Sequence, residues 1–158
     1  MKSRSTHRTW FRCSLLVVAV AVAACSNPLA PERDELNAAR ALWAANAPDA
    51  YAYRFQRLCF CGSEVVRGVR IEVAGGQVVS VVPVDDGPPL QTPIDEFPTI
   101  DDLFDEILSA IEAEADQLLA TYNAELGYPV DVAIDFIFEA IDEEMAFEVR
   151  EFTPSPSP

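Results

Sequence analysis

Apolar residues recur at every second position in short runs, and turn-forming residues separate the runs. Tyr51, Tyr53 and Phe55 alternate; so do Val69, Ile71 and Val73, and later Val130, Val132, Ile134 and Phe136. A two-residue period sets these side chains on one face of an extended strand. Short strands joined by tight turns pair as antiparallel sheet. Gly75-Gly76 supplies such a turn inside a hairpin spanning Val65 to Val84. Further strands are expected over Ala50 to Cys61, Gln117 to Asn123 and Ala146 to Phe152.

Two stretches switch to the helical period. Glu32 to Asn46 brings Leu36, Ala39, Leu42 and Trp43 to one face, with acids in the first turn and Pro48 beyond the end. Thr99 can cap a second helix, whose stripe is Ile100, Leu103, Phe104, Ile107, Leu108 and Ile111. Asp101, Asp102, Asp105 and Glu106 crowd its positive end, and it should fade near Glu114. The spacing therefore predicts an α+β fold: an antiparallel sheet with two helices on one face, in the order helix-strand-strand-strand repeated twice. Tyr53 and Tyr122 follow the two helices at comparable places, the mark of an internal duplication. The proline-rich segment Asp85 to Pro98 reads as a solvated connector. Carried past Phe55, the alternation sets Arg57, Cys59 and Cys61 on the tyrosine face. An arginine is awkward there, so a bulge near Arg57 or an edge position is expected.

Residues 1–24 read as an address, not as fold. Lys2, Arg4, Arg8 and Arg12 precede an uninterrupted apolar run from Leu15 to Ala24, the order of an export signal. The run is shorter than the ~20 residues of a membrane span. Val22-Ala23-Ala24-Cys25 resembles a bacterial lipobox, in which the cysteine becomes an acylated N-terminus; the alternative is an ordinary signal cut near Ala24 that leaves Cys25 a free thiol. Two or three acyl chains would hold the protein stably on a bilayer. Residues 25–31 are then a tether, 32–152 a single domain, and 153–158 a disordered tail. The expected location is the cell envelope, lipid-anchored in the outer membrane or on the outer face of the plasma membrane. Ser26 after the cysteine favours the outer membrane by the usual sorting pattern.

Removing the signal leaves 134 of 158 residues and changes the chemistry. All 26 acidic residues but only seven of the 11 basic ones lie beyond Cys25, giving a net charge of −19. Such a surface repels phosphate backbones, so nucleic acid is not an expected partner. The only histidine is His7 and the only lysine is Lys2, both inside the signal. Serine, cysteine and metal centres that need histidine are therefore excluded, as are Schiff-base lysines. No glycine-rich phosphate loop is present. These exclusions argue against an enzyme and against a cofactor.

Three groups remain as candidates. Cys59 and Cys61 have only each other once Cys13 is removed and Cys25 is acylated. They read as a local disulfide or as a redox pair, in an export compartment that is oxidising. In a regular strand they would stand ~6.6 Å apart, at the long limit for bonding, so a kink is needed, and Gly62 eases one. Tyr51, Tyr53, Tyr122 and Tyr128 are candidates for an amphipathic contact surface or for core packing. Asp131 and Asp135 on one strand, with Asp142 in the turn Asp142-Glu143-Glu144, could offer oxygens to calcium, although acid-rich turns are commonly only solvated.

The residues also carry a family resemblance. Tyr51-x-Tyr53-x-Phe55, Cys59-x-Cys61, Val69-x-Ile71-x-Val73 with Gly76-x-Val78-Val79, then Thr99-Ile100-x-x-Leu103-Phe104-x-x-Ile107, Tyr122-Asn123-x-x-x-Gly127-Tyr128-Pro129 and Asp135 form one pattern. It is similar to small bacterial exported proteins, often lipoproteins, grouped as domain of unknown function 6174. The resemblance covers roughly Ala47 to Phe152. Asn123 departs from it, since an acid often follows the tyrosine there. The family implies no reaction, substrate or cofactor. The expectation is a non-catalytic envelope lipoprotein, a binding or structural module anchored in the membrane, with an unknown protein or small ligand as partner. The alternative is a thiol-based redox or metal-handling protein using Cys59 and Cys61.

Overall fold

Where the sequence alternates the chain is extended, and where it turns to the helical period it coils. The structure, a computed structural model, describes residues 28–137 and 144–155. Its elements are α1 (Ala30–Asn46), β1 (Ala50–Cys59), β2 (Val69–Ala74), β3 (Gln77–Pro83), a single 3₁₀ turn (Ile94–Glu96), α2 (Ile100–Glu112), β4 (Gln117–Tyr122), β5 (Pro129–Asp135) and β6 (Glu144–Pro154). The strands form one open sheet in the order β3-β2-β1-β6-β5-β4, and every neighbouring pair is antiparallel. The class is α+β.

Five of the six strands send alternate side chains into a common core. Tyr51, Tyr53 and Phe55 of β1, Val69, Ile71 and Val73 of β2, Leu118 of β4, Val132 and Ile134 of β5, and Phe147 and Val149 of β6 are buried together. Leu36, Ala39 and Trp43 of α1 and Ile100, Leu103, Phe104, Ile107 and Ile111 of α2 join them, with Leu108 half-buried beside them. The first meander, β1 to β3, starts at the sheet centre and ends at its margin. The second, β4 to β6, starts at the margin and ends at the centre. Tyr53 and Tyr122 are therefore not in equivalent places: the first is fully buried in a central strand, the second half-buried in an edge strand.

The register break expected near Arg57 lies elsewhere. β1 pairs with β6 without interruption from Arg54 to Cys59, and the shift falls between Ala52 and Arg54. There Tyr53 faces two residues of β6, and Glu151 takes up the extra one with φ of 50°. Phe147 and Val149 face the core; without the bulge Glu151 would follow them. With it, Phe152 turns inward and stacks on Tyr51 and Tyr128, at centroid distances of 5.3 and 4.5 Å. The strand continues through Thr153 and Pro154, two residues into the segment expected to be a tail, because Ala52 and Tyr51 pair with them.

Arg57 stays on the core side and is made acceptable by a partner. Its guanidinium donates to both oxygens of Glu106 on α2, at 2.6 and 2.9 Å, and lies over the rings of Phe55 and Phe147. β2 has stopped pairing at Phe55, so this end of β1 is flanked by β6 alone. The connector after β3 is also more fixed than its prolines suggest. Arg67 grips the Asp85 carboxylate and donates to the Pro88 carbonyl at 2.6 Å, the Gln91 N–H donates to Glu64, and Leu90 and Phe97 pack against the core.

α2 starts where the sequence says it should. The Thr99 hydroxyl accepts from the Asp102 N–H at 3.2 Å, and the Asp102 carboxylate accepts from the Thr99 N–H at 2.8 Å, a reciprocal capping box. α1 begins at Ala30, two residues earlier than its acids suggest, with a proline in its first turn. Between β4 and β5 the chain turns on Gly127, whose φ is 85°. A β-carbon there would stand 2.3 Å from the Ala39 carbonyl oxygen of α1.

Gly127→Ala should therefore lose about 2–4 kcal/mol, from backbone strain and from pushing α1 off its seat; urea unfolding at an unchanged midpoint would contradict the close approach. Arg57→Ala should lose about 2–3 kcal/mol by leaving Glu106 half-buried without its partner. In a double-mutant cycle with Glu106→Gln the combined loss should fall short of the sum of the two single losses.

Candidate functional site

The strand β1 ends at Cys59, and the chain bends at once. Cys61 is thus outside the strand, and the Cα atoms of Cys59 and Cys61 are 5.2 Å apart rather than a straight strand's ~6.6 Å. Their sulfurs are bonded, at 2.06 Å. The tight loop leaves Phe60 between them 89% exposed. Among the described residues Phe60 is the most exposed large hydrophobic side chain.

It does not stand alone. The parity of the strands that avoids the core carries Leu58, Leu119, Ala133 and Ala146 near the same corner, and Leu119 is 60% exposed. Leu58, Phe60, Ala133 and Ala146 border an open basin of about 590 Å3, with Cys59 on its wall. A second basin of about 320 Å3 continues from Leu58 to Leu119 and Thr121. At the rim Asp135 and Glu144 are directly opposite each other across β5 and β6. Like charges so placed repel. Asp135 accepts from the Ile137 N–H at 3.1 Å.

The same outer parity holds a row of arginines that the linear sequence does not reveal. Arg54 pairs with Arg70 on one side and with Arg150 on the other. Arg150 is neutralised by Asp131 and Glu148, Arg54 is 3.8 Å from Glu151, and Arg70 donates to the Thr153 hydroxyl at 3.1 Å. Alternation alone places each of the three away from the core. Only the register of β1 with its two neighbours lines them up.

The tyrosine surface considered from sequence is not a surface. Tyr51 and Tyr53 are buried, and Tyr122 and Tyr128 are half-buried against the core. The reason is that β1 runs through the middle of the sheet and its odd residues all face inward. Their hydroxyls serve the entry to α2: the Tyr51 oxygen accepts from the Ile100 N–H at 3.2 Å, and Tyr53 donates to the Pro98 carbonyl. Tyr122 stacks on Phe104 and Tyr128 on Phe152. The calcium candidates do not converge either. Asp131 is committed to Arg150, and Asp142 lies outside the described residues, as does Cys25. Among the described residues no three acidic, cysteine or histidine side chains gather into a metal site. No described helix is long and apolar enough to cross a membrane.

Burial also sets how the tyrosines ionise. Desolvation pushes Tyr51 and Tyr122 up to about 12 from the ordinary 10.0, and Tyr53 and Tyr128 shift in the same direction for the same reason. Unfolded tyrosines release their protons near 10.0, before the folded ones do. The stability that depends on neutral tyrosines is complete below pH 10 and is lost as pH rises through 10 to 12.

The model of a family of unknown function, DUF6174, matches residues 35–154, and the chain belongs to that family. No curated protein and no solved structure matches the chain. The family span takes in the bonded cysteines, both basins and the buried tyrosines.

Titration to alkaline pH should unfold the protein cooperatively between pH 10 and 12, with tyrosinate absorbance rising in step with loss of circular dichroism. Four tyrosines titrating near pH 10 in a chain that stays folded would show that the hydroxyls are not held as described.

Proposed function

We propose that this DUF6174 member is a lipid-anchored, non-catalytic binding module of the cell envelope, and that it contacts its ligand through the outer parity of β4, β5 and β6 beside Phe60. One observation carries the reading: Leu58, Phe60 and Leu119 stand open to water around two adjoining basins. Isolated exposed apolar residues are ordinary, but a contiguous apolar patch bordering a concave surface marks a contact site. The chemistry that fits is an apolar small ligand, or an apolar side chain of a partner protein, set against Phe60 and Leu58. We read both helices as covering the opposite face, in a plan of one helix and three strands stated twice along the sequence.

The anchoring half of the reading rests on the sequence before the domain. Lys2 to Arg12, the run from Leu15 to Ala24, and Val22-Ala23-Ala24-Cys25 together support export and acylation of Cys25. Leu29 is already in the core, so the tether from Cys25 is a few residues long. The domain would work close against the bilayer. The absence of histidine and lysine beyond Cys25 supports the non-catalytic half.

A second reading is favoured by the position of the bonded cysteines on the basin wall. It is a thiol-based redox or metal-handling role for Cys59 and Cys61. A Cys59→Ser/Cys61→Ser variant that keeps full function in a deletion strain would remove it.

Two measurements test the leading reading. Labelled palmitate should mark the exported protein, and Cys25→Ala should lose both the label and the membrane fraction. A neutral solvatochromic dye should bind the purified protein, and Leu58→Glu or Phe60→Asp should weaken it by about tenfold without moving the melting temperature. An unlabelled exported protein ends the anchor; dye binding indifferent to both substitutions ends the contact surface.

A further inference from the structure

The two margins of the sheet are finished differently. β3 carries an extra residue where Val73 meets Val78, ends on Pro83, and has the 3₁₀ turn packed against it. Those are ways in which sheets blunt an edge against further pairing. β4 has neither the extra residue nor the proline, although α1 lies against it. The strand is Gln-Leu-Leu-Ala-Thr-Tyr, without charge or proline, and among the described residues no strand follows it in the sheet order. The extra residue of the β4–β5 pair sits on β5, so β4 itself is regular.

A groove runs alongside this bare edge. It holds about 420 Å3 between β4 and α1, with Ala38, Ala39 and Leu42 of the helix on one wall and Ala120 and Tyr122 of the strand on the other. Small residues on α1 leave room for side chains that arrive from outside. A strand added to β4 would set alternate side chains into this groove and the others beside exposed Leu119.

Charge selects the occupant. Glu35 stands in the groove, Glu112, Glu114 and Asp116 precede β4, and Glu125 follows it. A second copy pairing antiparallel through β4 would bring the Asp116 end of one chain to the Glu125 end of the other. With the cleavage before Cys25 proposed above, on which this step rests, the chain's own outlying segments, Ser26 to Pro28 and Ser155 to Pro158, carry no cation and are interrupted by prolines, which cannot donate to a ladder. We infer that the free edge of β4 docks an extended segment of another protein, apolar at alternate positions and flanked by lysine or arginine, as a seventh strand. This site is distinct from the basins beside Phe60 and stands or falls without them.

The probe is a synthetic peptide of about eight residues, with alternating valine and threonine between flanking lysines. Its counterparts carry flanking glutamates, or N-methyl groups on alternate backbone nitrogens in either phase. Fluorescence anisotropy with the wild-type protein at low salt should show the lysine peptide binding at least about tenfold tighter than the glutamate peptide. N-methylation in one phase should abolish binding. Ala38→Arg, at an exposed helix position on the groove wall, should weaken binding by about tenfold or more. Ala41→Arg, exposed on α1 and outside the groove, should leave it unchanged. Equal affinity for the two flanks, indifference to N-methylation, or an Ala38→Arg protein that binds as well as wild type overturns the proposal. So does a sedimenting dimer of the protein alone that Ala38→Arg splits, which would assign the edge to a second copy.

Discussion

The pairing of β1 with β6 joins everything else. β1, β2 and β3 form one meander and β4, β5 and β6 another, and among the described residues the only strand contact between them is this one. It brings together residues 86 to 103 apart in sequence, from Cys59 with Met145 to Tyr51 with Pro154. Closing so long a loop costs more entropy than forming either hairpin, and slows folding. The return is a central strand with neighbours on both sides along most of its length. Only there can Tyr51 and Tyr53 be buried with their hydroxyls occupied, one by a backbone donor and the other by a backbone acceptor at the entry to α2. The sheet centre and the start of the helix are thus fastened to each other by two side chains of one strand.

Much of this was legible in the residues. The alternations at Tyr51, Val69 and Val132, the Gly75-Gly76 turn and the Thr99 cap are local signals, and local chemistry decides them. The class and six strands follow. What the residues concealed is what depends on partners far away. Arg57 looked misplaced because Glu106 belongs to a helix almost fifty residues on. The tyrosines looked eligible for a surface because nothing in their own stretch says that β1 lies in the middle of the sheet. The connector at Asp85 looked loose because Arg67, its clasp, sits before the hairpin that separates them.

The candidate site was half legible for the same reason. Cys59 and Cys61 announced a tied loop, and Phe60 between them was in plain view. The basin beside it needs Ala133 and Ala146 from two other strands, and small residues in a strand carry no signal by themselves. The arginine row needs two registers to agree. In each case the missing knowledge was which residue stands opposite which.

At the far end of β6 the pairing turns on a single residue. Glu151, at the bulge, is where β6 changes phase: before it odd-numbered residues look inward, after it even-numbered ones do. The strand has, in effect, a reading frame. A substitution at Glu151 alters one side chain, and loss of the residue would merge the two frames into one, with Phe152 following Val149 as the next inward side chain and keeping its place against Tyr51 and Tyr128. One further residue before Phe152, with no second bulge to absorb it, would instead turn Phe152 outward and Thr153 in. The strand is therefore more tolerant of shortening than of lengthening at this point, at a residue that is itself exposed to water.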